Sequence, residues 1–258
     1  MTEIRDAFSN GKALIAFVTC GDPDLDTTKA IVRSMASNGV DLIELGIPFS
    51  DPTAEGPVIQ GANVRALKAG TTTDKIFDMV ESIRDDVDIP MVFMTYANVV
   101  FSYGTDRFLD RCVKAGIKGL ILPDVPFEEK EDFAPACEKH DMCLISMVAP
   151  TSHERIAMIA KESKGFLYVV SSLGVTGTRS KITTDICSIT EAIKKVTDTP
   201  CAVGFGISNP QQAKDMSKKA DGVIIGSAIV RLVAEHGRDS AKPVGEFVKS
   251  VKEAMRSQ

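Results

Sequence analysis

The chain has 258 residues, of which 44% are hydrophobic and 25% charged, and its formal net charge is −5 at pH 7. That length fits a single domain over residues 1–258 with a sizeable core. The acidic balance argues against nucleic acid as a partner, because phosphate backbones call for basic patches. It leaves room for a small anion, which backbone N–H groups at a helix start can hold without any lysine.

Residues 1–11 are polar and lack the apolar region of a signal peptide. No run reaches the ~18 apolar residues a membrane span needs. From there on, short apolar runs recur at 14–19, 42–45, 91–94, 119–122, 143–148, 166–170, 201–204 and 222–225. They are rich in Ile, Val, Leu and Phe and too short for buried helices, which is how parallel strands covered on both faces read. The stretches between them carry helical patterns. Asp26 or Thr27 starts a helix running to Asn38. Phe108, Leu109, Cys112 and Val113 form one apolar stripe stopped by Gly116. Asn209, Pro210 and Gln212 give a cap, a first-turn proline and a capping-box glutamine, with Ala213 and Met216 facing inward. A short helix over 228–236 ends at Gly237.

About eight strand–helix units predict a closed (β/α)8 TIM barrel of the α/β class. It would carry an extra N-terminal helix and an extra short helix after the eighth strand. An open doubly wound sheet is the alternative, disfavoured because Gly204-Phe205-Gly206 is followed by Asn209 rather than the glycine of a dinucleotide fingerprint. Two connections, 46–60 and 171–184, are too long for plain turns, and long loops on a barrel tend to be functional.

Barrel active sites lie at the C-terminal ends of the strands. Glu44 sits inside the second apolar run, where a carboxylate is costly unless it faces the barrel mouth. Apolar surroundings should raise its pKa and suit it to acid–base work. The structural alternative is a carboxylate paired with a buried arginine or backbone N–H. The following loop, Pro48 to Pro57, is stiffened by proline and adds Asp51 and Glu55, which turn chemistry alone could explain. Gly204-Phe205-Gly206 and Gly226-Ser227 end the last two strands, where barrels often hold phosphate. Gly174-Val175-Thr176-Gly177 could add donors and a flap. His140, His153 and His236 read as surface residues at helix ends, with no metal-ligand spacing. The six cysteines show no CxxC pair and read as buried, reduced thiols, which fits a cytoplasmic protein.

Taken together, Glu44-Leu45-Gly46-Ile47-Pro48-Phe49-Ser50-Asp51-Pro52 and Gly56-Pro57-Val58-Ile59-Gln60 closely resemble the signature of the tryptophan synthase alpha subunit. Phe17-Val18-Thr19, Gly21-Asp22-Pro23, Met94-Thr95-Tyr96-Ala97-Asn98, Asp124-Val125-Pro126 and the three glycine motifs follow in the family's order, so the resemblance spans essentially the whole chain.

The resemblance implies retro-aldol cleavage of indole-3-glycerol phosphate to indole and glyceraldehyde 3-phosphate in tryptophan biosynthesis. It implies Glu44 as proton shuttle and Glu55 as the acid at the indole N–H. Phe17, Met94, Tyr96 and Tyr168 would line the indole pocket, and Thr176 would position the second carboxylate. Gly177, Gly206, Gly226 and Ser227 would hold the phosphate. No metal or cofactor is implied for this chain. The implied partner is a PLP-dependent beta subunit in an α2β2 heterotetramer, with Asp51 and Pro52 at the shared interface. One departure bears on the chemistry: Glu55 stands where the family typically has aspartate, one methylene longer. Two other readings stay open: a stand-alone indole-releasing lyase, and a non-catalytic barrel that regulates a beta subunit.

Overall fold

The structure is a computed structural model and describes residues 3–170, 185–204 and 206–257. Its strands are β1 (Ala13–Thr19), β2 (Leu42–Gly46), β3 (Met91–Met94), β4 (Gly119–Ile121), β5 (Cys143–Leu144), β6 (Met147–Val148), β7 (Leu167–Val170), β8 (Cys201–Gly204) and β9 (Gly222–Ile225). Its helices are α1 (Leu25–Ser37), α2 (Pro57–Lys68), α3 (Thr73–Glu81), α4 (Ala97–Tyr103), α5 (Thr105–Lys114), α6 (Ala134–Lys139), α7 (His153–Lys161), α8 (Ile186–Lys194), α9 (Pro210–Ser217), α10 (Ser227–His236) and α11 (Ala241–Arg256).

Every described strand pairing is parallel, and the sheet runs β5-β4-β3-β2-β1-β9-β8-β7-β6. The two ends of that order, β5 and β6, are halves of the single run expected at 143–148. Cys143–Leu144 pairs with β4, and Met147–Val148 pairs with β7. Between them the Ile145 N–H still donates to Leu120 O, and Ser146 O accepts from the Tyr168 N–H. The fifth strand thus changes partners midway and carries the sheet round into an eight-stranded (β/α)8 barrel.

Alternation along each strand divides the core in two. Leu14, Ala16, Val18, Ile43 and Leu45 pack outward under the helices. Ile15, Phe17, Leu42, Val92, Met94, Ile121, Tyr168 and Ile224 fill the barrel interior. With both faces covered, β1 and β2 are buried throughout, which is why they read as continuous apolar runs. The expected N-terminal helix is a short 3-10 helix, Ile4–Phe8, whose Ile4 and Ala7 belong to the interior cluster and plug its lower end. Glycines make the room. A Cβ on Gly119 would come 3.1 Å from Ile4 Cδ1, and one on Gly222 would come 3.1 Å from Phe8 Cε1.

Several boundaries differ from the sequence expectation for local reasons. Helix α1 starts at Leu25 because Asp24, not Asp26 or Thr27, is the cap, its carboxylate accepting from the Thr27 N–H at 2.8 Å. Helix α2 begins at Pro57, so the first long connection ends at Gly56 rather than at residue 60; Gly56 caps the helix and proline takes the first helical position. In α5, Phe108, Leu109 and Cys112 are buried, but Val113, at the edge of the stripe, is 47% exposed. Asn209 does cap α9, accepting from the Gln212 N–H at 2.9 Å. The Gln212 side chain reaches back to the Ser208 N–H, also 2.9 Å, one residue short of a standard capping box. The short helix after β9 begins at Ser227, one residue before the expected start. The connection 171–184 lies outside the described residues. No helix of the described residues is long and apolar enough to cross a membrane.

Candidate active site

At the C-terminal ends of the strands, Glu44 projects from β2 into the barrel interior, two residues beyond inward-facing Leu42. Its strand neighbours in register are Phe17 on β1 and Val92 on β3, both apolar. Glu44 is 1% exposed, and among the described residues its Oε2 has no hydrogen-bond partner. A carboxylate deprived of water and donors strongly prefers its neutral form. Burial first, and then the charge of Glu55, push the Glu44 pKa up to about 8.

Glu55 reaches the same mouth from the loop between β2 and α2 and is 6% exposed. Burial raises its pKa to about 7, against the pull of two donors, Asn63 and Tyr96. Asn63 Nδ2 donates to Glu55 Oε2 at 2.6 Å, and Gln60 Nε2 donates to the Glu55 backbone carbonyl at 2.7 Å. Both donors come from the first turns of α2, so the helix clamps the loop's acidic residue. The two glutamates therefore occupy different environments. Glu55 has hydrogen bonds that favour its anion; the Glu44 Oε2 has none.

Phe17, Met94 and Tyr168 share one cavity wall with Glu44, Glu55, Gly206, Gly226 and Ser227. Glycines admit the rings. A Cβ on Gly46 would meet Phe17 Cζ at 2.6 Å, and one on Gly204 would meet the Tyr168 ring at 2.7 Å. The cavity holds about 30 Å³, well below the ~300–1,000 Å³ of small-molecule sites, so a ring-sized ligand must push side chains aside. Gly226, which caps α10 with no side-chain hydrogen bond, and Ser227, its first residue, both line the cavity, so the start of the helix, where first-turn N–H groups lack intrahelical partners, stands at the cavity. Gly206, at φ +92°, adopts a backbone conformation that side chains resist.

Other expected residues fall elsewhere. Tyr96 stands behind Glu55 rather than on the cavity wall. Its hydroxyl accepts from the Ala54 N–H at 3.2 Å and its ring stacks on Phe49 at 5.2 Å. Asp51 is exposed on the outer loop, bonded to the Ser50 hydroxyl at 2.5 Å, and Pro52 beside it is half-buried. Thr176 and Gly177 lie outside the described residues. Sequence reasoning missed Asn63, Gln60, Ile59, Ile207 and Ile224. Asn63 had a signal: it interrupts the buried face Ile59, Ala62, Ala66 of α2, and a polar residue there needs a partner.

Among the described residues, no group of three or more His, Cys, Asp or Glu side chains could hold a metal ion. His140 is not a plain surface residue: its ring is largely covered, with Nδ1 2.8 Å from Ala136 O and Nε2 3.1 Å from Asp110. All six cysteines are free thiols; Cys20, Cys112, Cys137 and Cys201 are buried, Cys143 is half-buried and Cys187 is exposed. Two larger cavities lie away from this chemistry. One, of about 660 Å³, sits among Lys12, Pro200 and Asp221 at the opposite end of the barrel, and the other, of about 560 Å³, lies beside α6 and α7.

The sequence model of the tryptophan synthase alpha chain family matches residues 5–257. The tryptophan synthase alpha chain of Lacticaseibacillus casei is 45% identical over 255 residues, covering 99% of this chain and 96% of that one. That of Lactiplantibacillus plantarum is 48% identical, covering 92% and 90%. Among solved structures, tryptophan synthase subunit alpha from Legionella pneumophila superposes with a TM-score of 0.90 at 34% identity, covering both chains fully. A Mycobacterium tuberculosis tryptophan synthase chain gives 0.90 at 33% identity, covering 100% of this chain and 99% of that one. The chain belongs to the tryptophan synthase alpha chain family.

Proposed function

We propose that this barrel cleaves indole-3-glycerol phosphate to indole and glyceraldehyde 3-phosphate, with Glu44 as proton shuttle and Glu55 as the anion at the indole nitrogen. The observation that carries the reading is the unequal treatment of two neighbouring buried carboxyl groups. Environments that push a pair apart assign one as acid and the other as anion. Burial raises both, but only Glu55 has donors, Asn63 and Tyr96, that pull back toward the anion, so Glu55 is the first of the two to ionise and Glu44 the one to keep its proton.

The chemistry follows from that assignment. Protonated Glu44 gives its proton to indole carbon 3, and positive charge moves to the ring nitrogen. The Glu55 carboxylate accepts the hydrogen bond of that N–H and stabilises the charge. Glu44, now a carboxylate, takes the proton of the neighbouring glycerol hydroxyl. The carbon–carbon bond breaks, its electron pair neutralises the ring, and the aldehyde forms. Glu44 ends as it began, protonated.

Phe17, Met94 and Tyr168 form the apolar walls for the ring. Gly206, Gly226, Ser227 and the start of α10 supply backbone donors and a helix dipole for the phosphate; Thr176 and Gly177 are assigned to the same site from the sequence. The reading gives this chain no cofactor of its own. It pairs the chain with a PLP-dependent beta subunit in an α2β2 assembly of the cytoplasm, through the exposed loop at Asp51 and Pro52. Support comes from the structural match to a chain of the tryptophan synthase complex of Pyrococcus furiosus, at a TM-score of 0.86 and 31% identity.

The test is indole release from indole-3-glycerol phosphate by the purified chain, with and without a beta subunit. Slow release alone and strong acceleration with the partner support the reading. No release in either condition from a folded chain contradicts it.

A further inference from the structure

Among the described residues, two buried polar atoms on the inner face of β1 and β2 lack partners, and they stand on adjacent strands. Glu44 Oε2 is one; Thr19 Oγ1 is the other, on a side chain 1% exposed. A hydroxyl buried without a hydrogen bond is costly, and such an atom in a native fold calls for an explanation. In the β1–β2 register Phe17 lies opposite Glu44 and Thr19 opposite Gly46. Alternation puts Thr19 on the same inner face as Phe17. Thr19 and Glu44 are therefore diagonal neighbours on one face, a separation of roughly 7–8 Å that a glutamate side chain can span. Gly46 contributes no side chain there, and the Phe17 ring fills the space, its Cζ 2.6 Å from where a Gly46 Cβ would stand. The cavity of about 30 Å³ means that an entering indole ring must move its walls, and Phe17 is one of them.

We propose that Thr19 is a positioning residue for Glu44: once substrate displaces the Phe17 ring, the Thr19 hydroxyl donates a hydrogen bond to Glu44 Oε2 whenever that carboxylate is ionised. The inference rests on the lyase reading above. The hydroxyl moves no proton. It stabilises the carboxylate during the half of the cycle in which Glu44 has given up its proton, and it stays unpartnered at rest, when Glu44 is neutral. The other titratable groups facing Glu44 are Glu55 and Tyr168. Its register partners, Phe17 and Val92, bring no charge.

The experiment compares Thr19→Val and Thr19→Ser with the wild-type chain in complex with a beta subunit, by kcat and KM for indole release across pH, with the Tm of the free chain measured alongside. Valine keeps the shape and removes the hydroxyl. The expected result is a Thr19→Val Tm equal to or above wild type, kcat lowered about 10- to 100-fold, as loss of a hydrogen bond to a charged group implies, and KM little changed. The alkaline limb of the kcat profile moves to higher pH, because the ionised Glu44 has lost a donor and holds its proton longer. Thr19→Ser recovers most of kcat. A Thr19→Val enzyme with wild-type kcat and an unmoved limb overturns the inference while leaving the lyase reading intact. So does a kcat loss matched by a fall in Tm and shared by Thr19→Ser, which marks a structural role. A wild-type chain that releases no indole overturns the lyase reading and this inference with it.

Discussion

Asn63 donates to Glu55 Oε2 at 2.6 Å from within a buried face of α2, so the helix that follows the loop also fixes the loop's carboxylate. Removing that donor leaves a buried carboxyl group with less to favour its anion. Asn63→Ala is expected to raise the Glu55 pKa further above 7, lower indole release about 10-fold or more, and cost about 1–3 kcal/mol of stability. Steady-state kinetics and urea denaturation check both parts. Unchanged kinetics would show that the 2.6 Å bond has no bearing on the chemistry.

Glu44 makes a prediction about stability as well as rate. Its folded pKa of about 8 stands above the ordinary 4.5, so the folded state holds a proton that the unfolded chain releases. The stabilisation is fully present below about pH 4.5 and is lost as pH rises through about 8. Glu44→Gln, which cannot ionise, is expected to flatten this decline and to exceed wild type at pH 9 by a few kcal/mol. Parallel declines in the two proteins would mean that Glu44 is not buried in its neutral form.

Glu55 tests whether the longer acid keeps its assigned role. Glu55→Gln is expected to lose about 10²–10³-fold in indole release, since a neutral amide cannot balance charge at the ring nitrogen. Glu55→Asp should lose less, because it keeps the charge but draws back from Asn63. Near-normal turnover in Glu55→Gln would remove Glu55 from the mechanism.

At Gly46, an added methyl would stand 2.6 Å from Phe17 Cζ and push the ring off its present site. Gly46→Ala is expected to raise KM about 10-fold or more, with a stability loss of about 1–3 kcal/mol. Wild-type KM in this variant would show that the ring has free space to retreat without narrowing the pocket.

The strands were legible because parallel strands covered on both faces have no polar positions to spare. For the same reason Glu44 stood out, a carboxylate inside an apolar run. The break in the fifth strand was not legible, because Ile145 and Ser146 belong to a run whose side chains give no sign that the backbone changes partners there. The sequence reading starts α1 at Asp26 or Thr27 and passes over Asp24, whose role as cap shows only in the bond from the Thr27 N–H. The family resemblance implies Tyr96 for the pocket wall. Its hydroxyl instead turns to the Glu55 loop, where Ala54 and Phe49 hold it. Asn63 could have been found from its place on a buried helical face, but its partner, eight residues earlier on an irregular loop, could not.

In this reading a buried, proton-holding Glu44 shuttles the proton of carbon–carbon cleavage. Its most direct test is the pH profile of kcat for indole release by wild type and Glu44→Gln, each bound to a beta subunit. The expected result is a wild-type profile governed by a group titrating well above the ordinary carboxylate range, and a loss of at least about 10³-fold in a folded Glu44→Gln that retains substrate binding. A Glu44→Gln enzyme that releases indole at a comparable rate, with the same pH dependence, would contradict it.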